Sequence, residues 1–123
     1  MTKSLEDYLE RIHMLIEQGR RARVNEVAKE LNVRMPSVNK AVSELKKLGL
    51  VEQEPYGDLR LTKEGALLSD EIHTRHTLLT AFLEKLGVTP ETAEHDACLM
   101  EHILSAETLE RVKAYVNKGR RKK

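Results

Sequence analysis

Apolar residues recur at helical spacing through most of the chain, and the breaks between runs divide it into six helical segments and one short two-stranded piece. Leu5, Tyr8, Leu9, Ile12, Leu15 and Ile16 form the first stripe, which Gly19 ends. Ser4, with Asp7 three positions on, predicts a capping-box-like start. Residues 24–31 (VNEVAKEL) predict a short amphipathic helix, and Asn32, Val33 and Arg34 a turn. Pro36 suits the opening of the next helix, over 37–48, because its missing N–H would find no partner there anyway. That helix is expected to turn Val38, Val42, Leu45 and Leu48 inward and to stop at Gly49.

The period then changes. Residues 50–54 (LVEQE) and 59–62 (LRLT) flank Pro55-Tyr56-Gly57-Asp58, which predicts a β-hairpin. Thr62 caps a long helix over about 63–86, ended by Gly87. Thr89-Pro90 opens another, to about residue 104, and Ser105 starts a last one that fades near Asn117-Lys118-Gly119. The fold class is therefore mainly α. Helix, short helix, turn, helix and hairpin follow one another in the order of a winged helix-turn-helix, with the second short helix as recognition helix.

Charge supports that assignment. The net charge of +1 hides an asymmetry: residues 20–63 carry ten Lys/Arg against six Asp/Glu, whereas 64–110 carry two against ten. From Arg111 onward all charges are positive. A basic block next to an acidic one suits polyanion contact in the first and cation binding or partner contact in the second. The expected DNA contacts are Arg34, Pro36, Ser37, Asn39 and Lys40 early on the recognition helix, pointing at bases. Arg20, Arg21, Arg23, Lys46 and Lys47, with Tyr56 and Arg60 of the hairpin, would lie along phosphates. The partner implied is double-stranded DNA.

Other classes fall away. No apolar run approaches the ~20 residues of a membrane span, and the first twelve residues lack the core of a signal peptide. One cysteine makes no internal disulfide, which fits a reducing cytosol, so the expected location is cytoplasmic. Glu101-His102 lacks the H-E-x-x-H spacing and no Gly-rich loop or nucleophile–base pair accompanies it, so an enzyme is not expected.

HDACLMEH (95–102) gathers the lone cysteine, two histidines and two acids. On a helix Cys98, Glu101 and His102, at i, i+3 and i+4, project from one face. Two readings are open: half of a metal site, or a helix surface with a buried thiol.

Taken together, SLEDYLERIHMLIE (4–17), ARVNEVAKELNVRMPSVNKAVSELKKLGLV (22–51), LRLTKEG (59–65), RHTLLTAFLEKLGV (75–88) and HDACLMEHILS (95–105) resemble the diphtheria-toxin-repressor and manganese-transport-regulator family of metal-dependent transcriptional repressors. The likeness is to the short form, without the β-barrel domain that some members carry. It implies a winged helix-turn-helix DNA-binding domain over 1–64, a helical dimerisation and metal-binding domain over 65–117, and a basic tail over 118–123. It also implies a homodimer on a palindromic operator at metal-homeostasis genes, with Mn²⁺ or Fe²⁺ as co-repressor. The family's ligand positions match Asp7, Glu10, His76, Cys98, Glu101 and His102. Cys98 stands where manganese regulators commonly have Glu, and Asp7 where the iron-responsive branch often has methionine, so the site is a hybrid.

The donor chemistry agrees with that set. Asp7 and Glu10 share one face of the first helix, His76 comes from the long helix, and five of the six side chains offer oxygen or nitrogen, which suits Mn²⁺ or Fe²⁺. The cysteine would move preference towards Zn²⁺ or Co²⁺ in vitro. Glu94 and His95 are secondary ligand candidates, Thr80 stands where the iron branch has an acid, and His73 and His13 are assigned to surface and packing. Leu67, Leu68, Ile72, Leu79, Phe82, Leu83, Leu86, Leu99, Ile103, Leu104 and Leu109 are the expected apolar contacts of the dimerisation domain. The alternative is a winged-helix regulator that is constitutive or senses an organic ligand.

Overall fold

The computed structural model describes residues 2–55 and 57–120 and divides into two compact units, 1–70 and 71–123. The division falls inside a helix, six residues beyond the boundary expected at 64. Each unit is built around its own apolar cluster.

In the first unit, α1 (Lys3–Glu17), α2 (Val24–Leu31) and α3 (Met35–Lys47) precede β1 (Val51–Gln53) and β2 (Leu59–Leu61), and α4 (Lys63–Lys85) begins. The stripe of α1 buries Leu9, Ile12 and Leu15 as its spacing requires. Its cap is Thr2, not Ser4: the Thr2 hydroxyl accepts from the Leu5 N–H at 3.2 Å. Asp7 instead takes an ammonium hydrogen of Lys3 at 2.8 Å, so the first turn starts earlier than a Ser4 cap allows.

Helix α2 ends at Asn32, in the left-handed region at φ 57°, where its short amide side chain is tolerated. Val33 N–H then bonds to Ala28 C=O at 3.0 Å and closes the turn. Arg34 opens α3 without a side-chain cap, with Pro36 in the first turn. Val38, Val42 and Leu45 face the core, but Leu48 is 54% exposed. Leu48 is the C-cap residue, and the chain reverses through Gly49 at φ +76° so that Leu50, not Leu48, packs inward.

The hairpin pairs Val51 with Leu61, Glu52 with Arg60 and Gln53 with Leu59. It is tied back to the α1–α2 loop by Leu59 N–H donating to Ala22 C=O at 2.7 Å. Thr62 caps α4: its hydroxyl accepts from Gly65 N–H at 3.0 Å and donates to Gly49 C=O at 2.7 Å. Leu68, assigned to the dimerisation domain, packs against this first core, and Leu67 of the same unit is exposed.

The second unit holds the rest of α4, α5 (Pro90–Met100) and α6 (Ala106–Arg120). Leu79, Leu83, Ala93, Ala97, Val112 and Val116 form its core, with Phe82, Leu104 and Leu109 packed against it. Phe82 meets Tyr115 edge-on at 5.6 Å, and the Lys85 ammonium lies 4.7 Å from the Tyr115 ring centroid. Leu86, Leu99 and Ile103 are exposed in the single chain. Two boundaries differ from expectation: α5 stops at Met100, not 104, and α6 runs through Gly119 to Arg120. Among the described residues no helix is long and apolar enough to cross a membrane.

Candidate metal centre and nucleic-acid interface

Ala93, Ala97 and Glu101 lie four apart on α5 and its C-cap, and all three are buried. Two alanines bring that row close to its neighbours, and the next position in it is a carboxylate only 1% exposed. A buried carboxylate is costly unless partnered. Glu101 has partners: His76 Nδ1, from α4, lies 2.8 Å from its Oε1, and His102 Nε2 lies 3.3 Å from its Oε2. The His102 side chain is also buried, at 1%. His76 Nε2 faces the exposed Glu94 at 3.1 Å, and the Thr80 hydroxyl donates to the His76 carbonyl at 2.9 Å.

Cys98 does not share this buried position. It follows Ala97 by one residue, a 100° turn away, and is exposed in the single chain. Glu101 still bonds helically to Ala97 C=O at 2.9 Å, whereas His102 reaches Leu99 C=O at 3.5 Å, a tighter turn. The helix thus ends between the members of the expected i, i+3, i+4 set. His95 is exposed and pairs with Asp96 at 3.3 Å, and His73 is exposed.

In the first unit Asp7 and Glu10 are half-exposed on α1, three residues apart. His13 is mostly buried: its Nδ1 lies 2.8 Å from the hydroxyl of buried Ser69 and its Nε2 3.2 Å from Glu17.

Among the described residues no three His, Cys, Asp or Glu side chains stand ready to hold a metal ion. Glu94, His76, Glu101 and His102 instead contact one another in a row, and His95 pairs with Asp96. Their chemistry still fits a hard-to-borderline divalent cation: two imidazoles and a buried carboxylate are good donors, and a cation would set a full positive charge against the buried carboxylate.

The polynucleotide-facing candidates sort into two groups. Arg34, Pro36, Ser37, Asn39 and Lys40 are all exposed on the first turns of α3, as is Lys47 at its end. Arg34, Lys40 and Lys47 make no ion pair with a described residue. Lys46 donates to Gln53 at 3.1 Å.

The remaining arginines are engaged. Arg20 pairs with Glu26 at 3.0 Å and Glu30 at 3.2 Å, Arg21 and Arg23 with Asp58, and Arg60 with Glu54. Hydrogen bonds to Glu26 and Glu30 raise the Arg20 pKa, and the bond to Glu54 raises that of Arg60. Bonds from Arg23 and then Arg21 hold the Asp58 carboxyl below its usual range. Tyr56 lies outside the described residues. Asp58 was read from sequence only as a turn residue. No sequence signal joins it to arginines 35 and 37 positions away.

The comparisons agree with this layout. The family description "Iron dependent repressor, N-terminal DNA binding domain" matches residues 1–59, and "Iron dependent repressor, metal binding and dimerisation domain" matches 62–122. An HTH-type transcriptional regulator of Methanocaldococcus jannaschii is 40% identical over 120 residues, covering 96% of each chain. The transcriptional regulator MntR of Escherichia coli O157:H7 is 40% identical over 114 residues, 93% of this chain and 74% of that one. The manganese regulator SloR superposes with a TM-score of 0.82 at 30% identity, over 95% of this chain and 55% of its own. The chain thus spans about half the length of that solved relative. With both halves matched and 40% identity sustained over nearly its full length, the chain belongs to the iron-dependent-repressor family, the metal-dependent DNA-binding transcriptional repressors that include the manganese regulators.

Proposed function

We propose that the chain represses metal-homeostasis genes as a homodimer on a palindromic operator, with Mn²⁺ or Fe²⁺ as co-repressor. The observation that carries this reading is the buried Glu101 carboxylate set between His76 at 2.8 Å and His102 at 3.3 Å. These three side chains hold the cation in the second unit, and Asp7 and Glu10 of α1 complete its shell. Cys98 contributes a sixth donor through its sulfur or its carbonyl. When bound, the cation supplies the positive charge that lets several carboxylates converge without repelling one another. By engaging ligands from α1 and from the dimerisation domain, it restricts the arrangement of the two recognition helices to one that suits successive major grooves.

On DNA, Arg34, Ser37, Asn39 and Lys40 read base edges and Pro36 shapes the approach of α3. Arg23, Lys47, Tyr56 and Arg60 hold phosphates. The manganese regulator SloR (30% identical) and a manganese-dependent transcriptional repressor solved in complex with manganese (25% identical, TM-score 0.82) support the manganese assignment by likeness. Mobility shifts on the upstream region of a metal-transport gene, with added Mn²⁺ or Fe²⁺ and with excess chelator, test the reading. Retardation should require metal. Equal binding in chelator would remove the co-repressor role.

A further inference from the structure

Residues 20–23 join α1 to α2 outside helix and strand, and Arg23 itself is extended at φ −118° and ψ 158°. Arg21 and Arg23 both reach Asp58, while Ala22 between them is 2% exposed and packs into the first core. The wing strand β2 bonds to this run through Leu59 N–H and Ala22 C=O at 2.7 Å, which brings Asp58 level with both arginines. Asp58 Oδ1 accepts from Arg23 Nε at 2.8 Å. Its Oδ2 accepts from Arg21 Nε and Nη2, each at 3.1 Å.

The donor count is uneven. A guanidinium carries five N–H groups. Arg23 gives only Nε to Asp58, and Arg21 gives Nε with one edge of Nη2. The Nη1 groups of both, and Nη2 of Arg23, meet no acceptor among the described residues. The Asp58 side chain is 31% exposed and that of Arg21 64%, so the guanidinium stands further out than its carboxylate.

The charge count is uneven as well. Arg60 is matched in charge by Glu54, and Arg20 by Glu26 and Glu30. Two guanidiniums on one carboxylate leave one positive charge over. Asp58 is held ionised by the same arginines.

We propose that Asp58 is the positioning residue of a phosphate clamp, fixing Arg21 and Arg23 side by side so that their outer N–H groups grip one backbone phosphate of DNA. The clamp rests on reading these arginines as phosphate contacts, and adds that they act as a unit through Asp58. Side-on pairing through Nε immobilises each guanidinium before DNA arrives, and a fork-shaped donor set suits a phosphate.

The test uses the full chain with added Mn²⁺ and a 30-base-pair duplex of random sequence, with affinity followed across salt. One neutralised phosphate contributes a slope of about 0.9 in log K against log salt. Arg21→Gln should lose about that much per subunit, because the remaining arginine is then closed by Asp58. The Arg21→Gln/Arg23→Gln double variant should lose no more. Asp58→Asn should bind roughly three- to tenfold more weakly despite its added positive charge, on the order of one tenfold step. Tighter or equal binding by Asp58→Asn would show that Asp58 merely screens the arginines. A double variant that loses two phosphate increments, about 1.8, would show that they act independently, and this arm holds even if Asp58→Asn melts. If neither arginine substitution changes affinity or slope, the phosphate-contact reading itself fails.

Discussion

His76 Nδ1 and Glu101 Oε1 stand 2.8 Å apart, one from the middle of α4 and the other at the C-cap of α5. The contact joins the helices at the point where the carboxylate is almost fully buried, next to His102. A side chain so placed is an expensive way to hold two helices together, since a buried ion is stabilised less than an apolar residue of the same size. The proposed role of Glu101 as a metal ligand would account for that cost.

Glu101→Gln keeps the shape and removes the charge. Metal affinity should fall by about a hundredfold or more, beyond the 10- to 100-fold typical of residues that only orient a ligand. In chelator the variant should melt no lower than the parent, because a neutral amide costs less to bury. Mn²⁺ titration by calorimetry, with thermal melts in chelator, checks both. An unchanged Mn²⁺ affinity would move the site away from Glu101.

Gly65 is the second pressure point. A Cβ built there would lie 2.0 Å from the Leu50 carbonyl oxygen and 3.0 Å from its carbon, both backbone atoms that cannot swing aside. The first turn of α4 approaches the strand entry this closely because Thr62 bonds to Gly49 on one side and to Gly65 on the other. Gly65→Ala should therefore destabilise the protein by about 2–3 kcal/mol, at the upper end of overpacking costs. Urea unfolding measures it. A cost under ~0.5 kcal/mol, the usual range of an indifferent surface change, would contradict the close approach.

The elements of the winged helix-turn-helix were legible because each is closed by chemistry that sequence displays: Asn32 and Gly49 after helices, Pro36 at a start, Pro and Gly in the wing. What failed was local competition. Thr2 and Ser4 can both cap, and the Lys3–Asp7 pair favours the earlier start. Leu48 keeps the inward spacing, but the helix has already ended there and Leu50 takes the place. The stop after Met100 has no Gly or Pro to mark it, and Ile103 and Leu104 prolong the helical pattern through the turn; Ile103 is 76% exposed. Glu101 and His102 were nameable as a pair of donors. The exposure of Cys98 followed from Ala93 and Ala97, not Cys98, lying on the buried row of α5, and the Asp58 arginine pair from a contact between distant loops. Neither is written in a local pattern.

Lys40 is exposed on the second turn of α3 and makes no ion pair with a described residue. A lysine reading guanine O6 or N7 contributes about 1–3 kcal/mol of discrimination, whereas one on a phosphate contributes uniformly to all sequences. Lys40→Ala should change the consensus selected from a random duplex library at one position per half-site. The Arg23→Gln variant should lower affinity without altering that consensus. A library consensus unchanged by Lys40→Ala, with weaker binding throughout, would reassign Lys40 to the backbone.

Asp58 also gives the first unit a defined response to acid. The arginines lower its folded-state pKa, Arg23 more than Arg21, so its ion pairs contribute stability above the unfolded carboxyl value and lose it as pH falls through the lower folded one. The contribution is thus constant through neutrality and disappears only in acid, below about pH 4, where an ordinary aspartate protonates. The pairs are open to solvent and screened by salt, so the effect is modest at high ionic strength. Melting temperatures of parent and Asp58→Asn should differ most at neutral pH in low salt, with the parent higher, and should converge as pH drops into that acid range. A difference that grows on acidification would mean that Asp58 is destabilising when ionised, the opposite of what its two arginine bonds require.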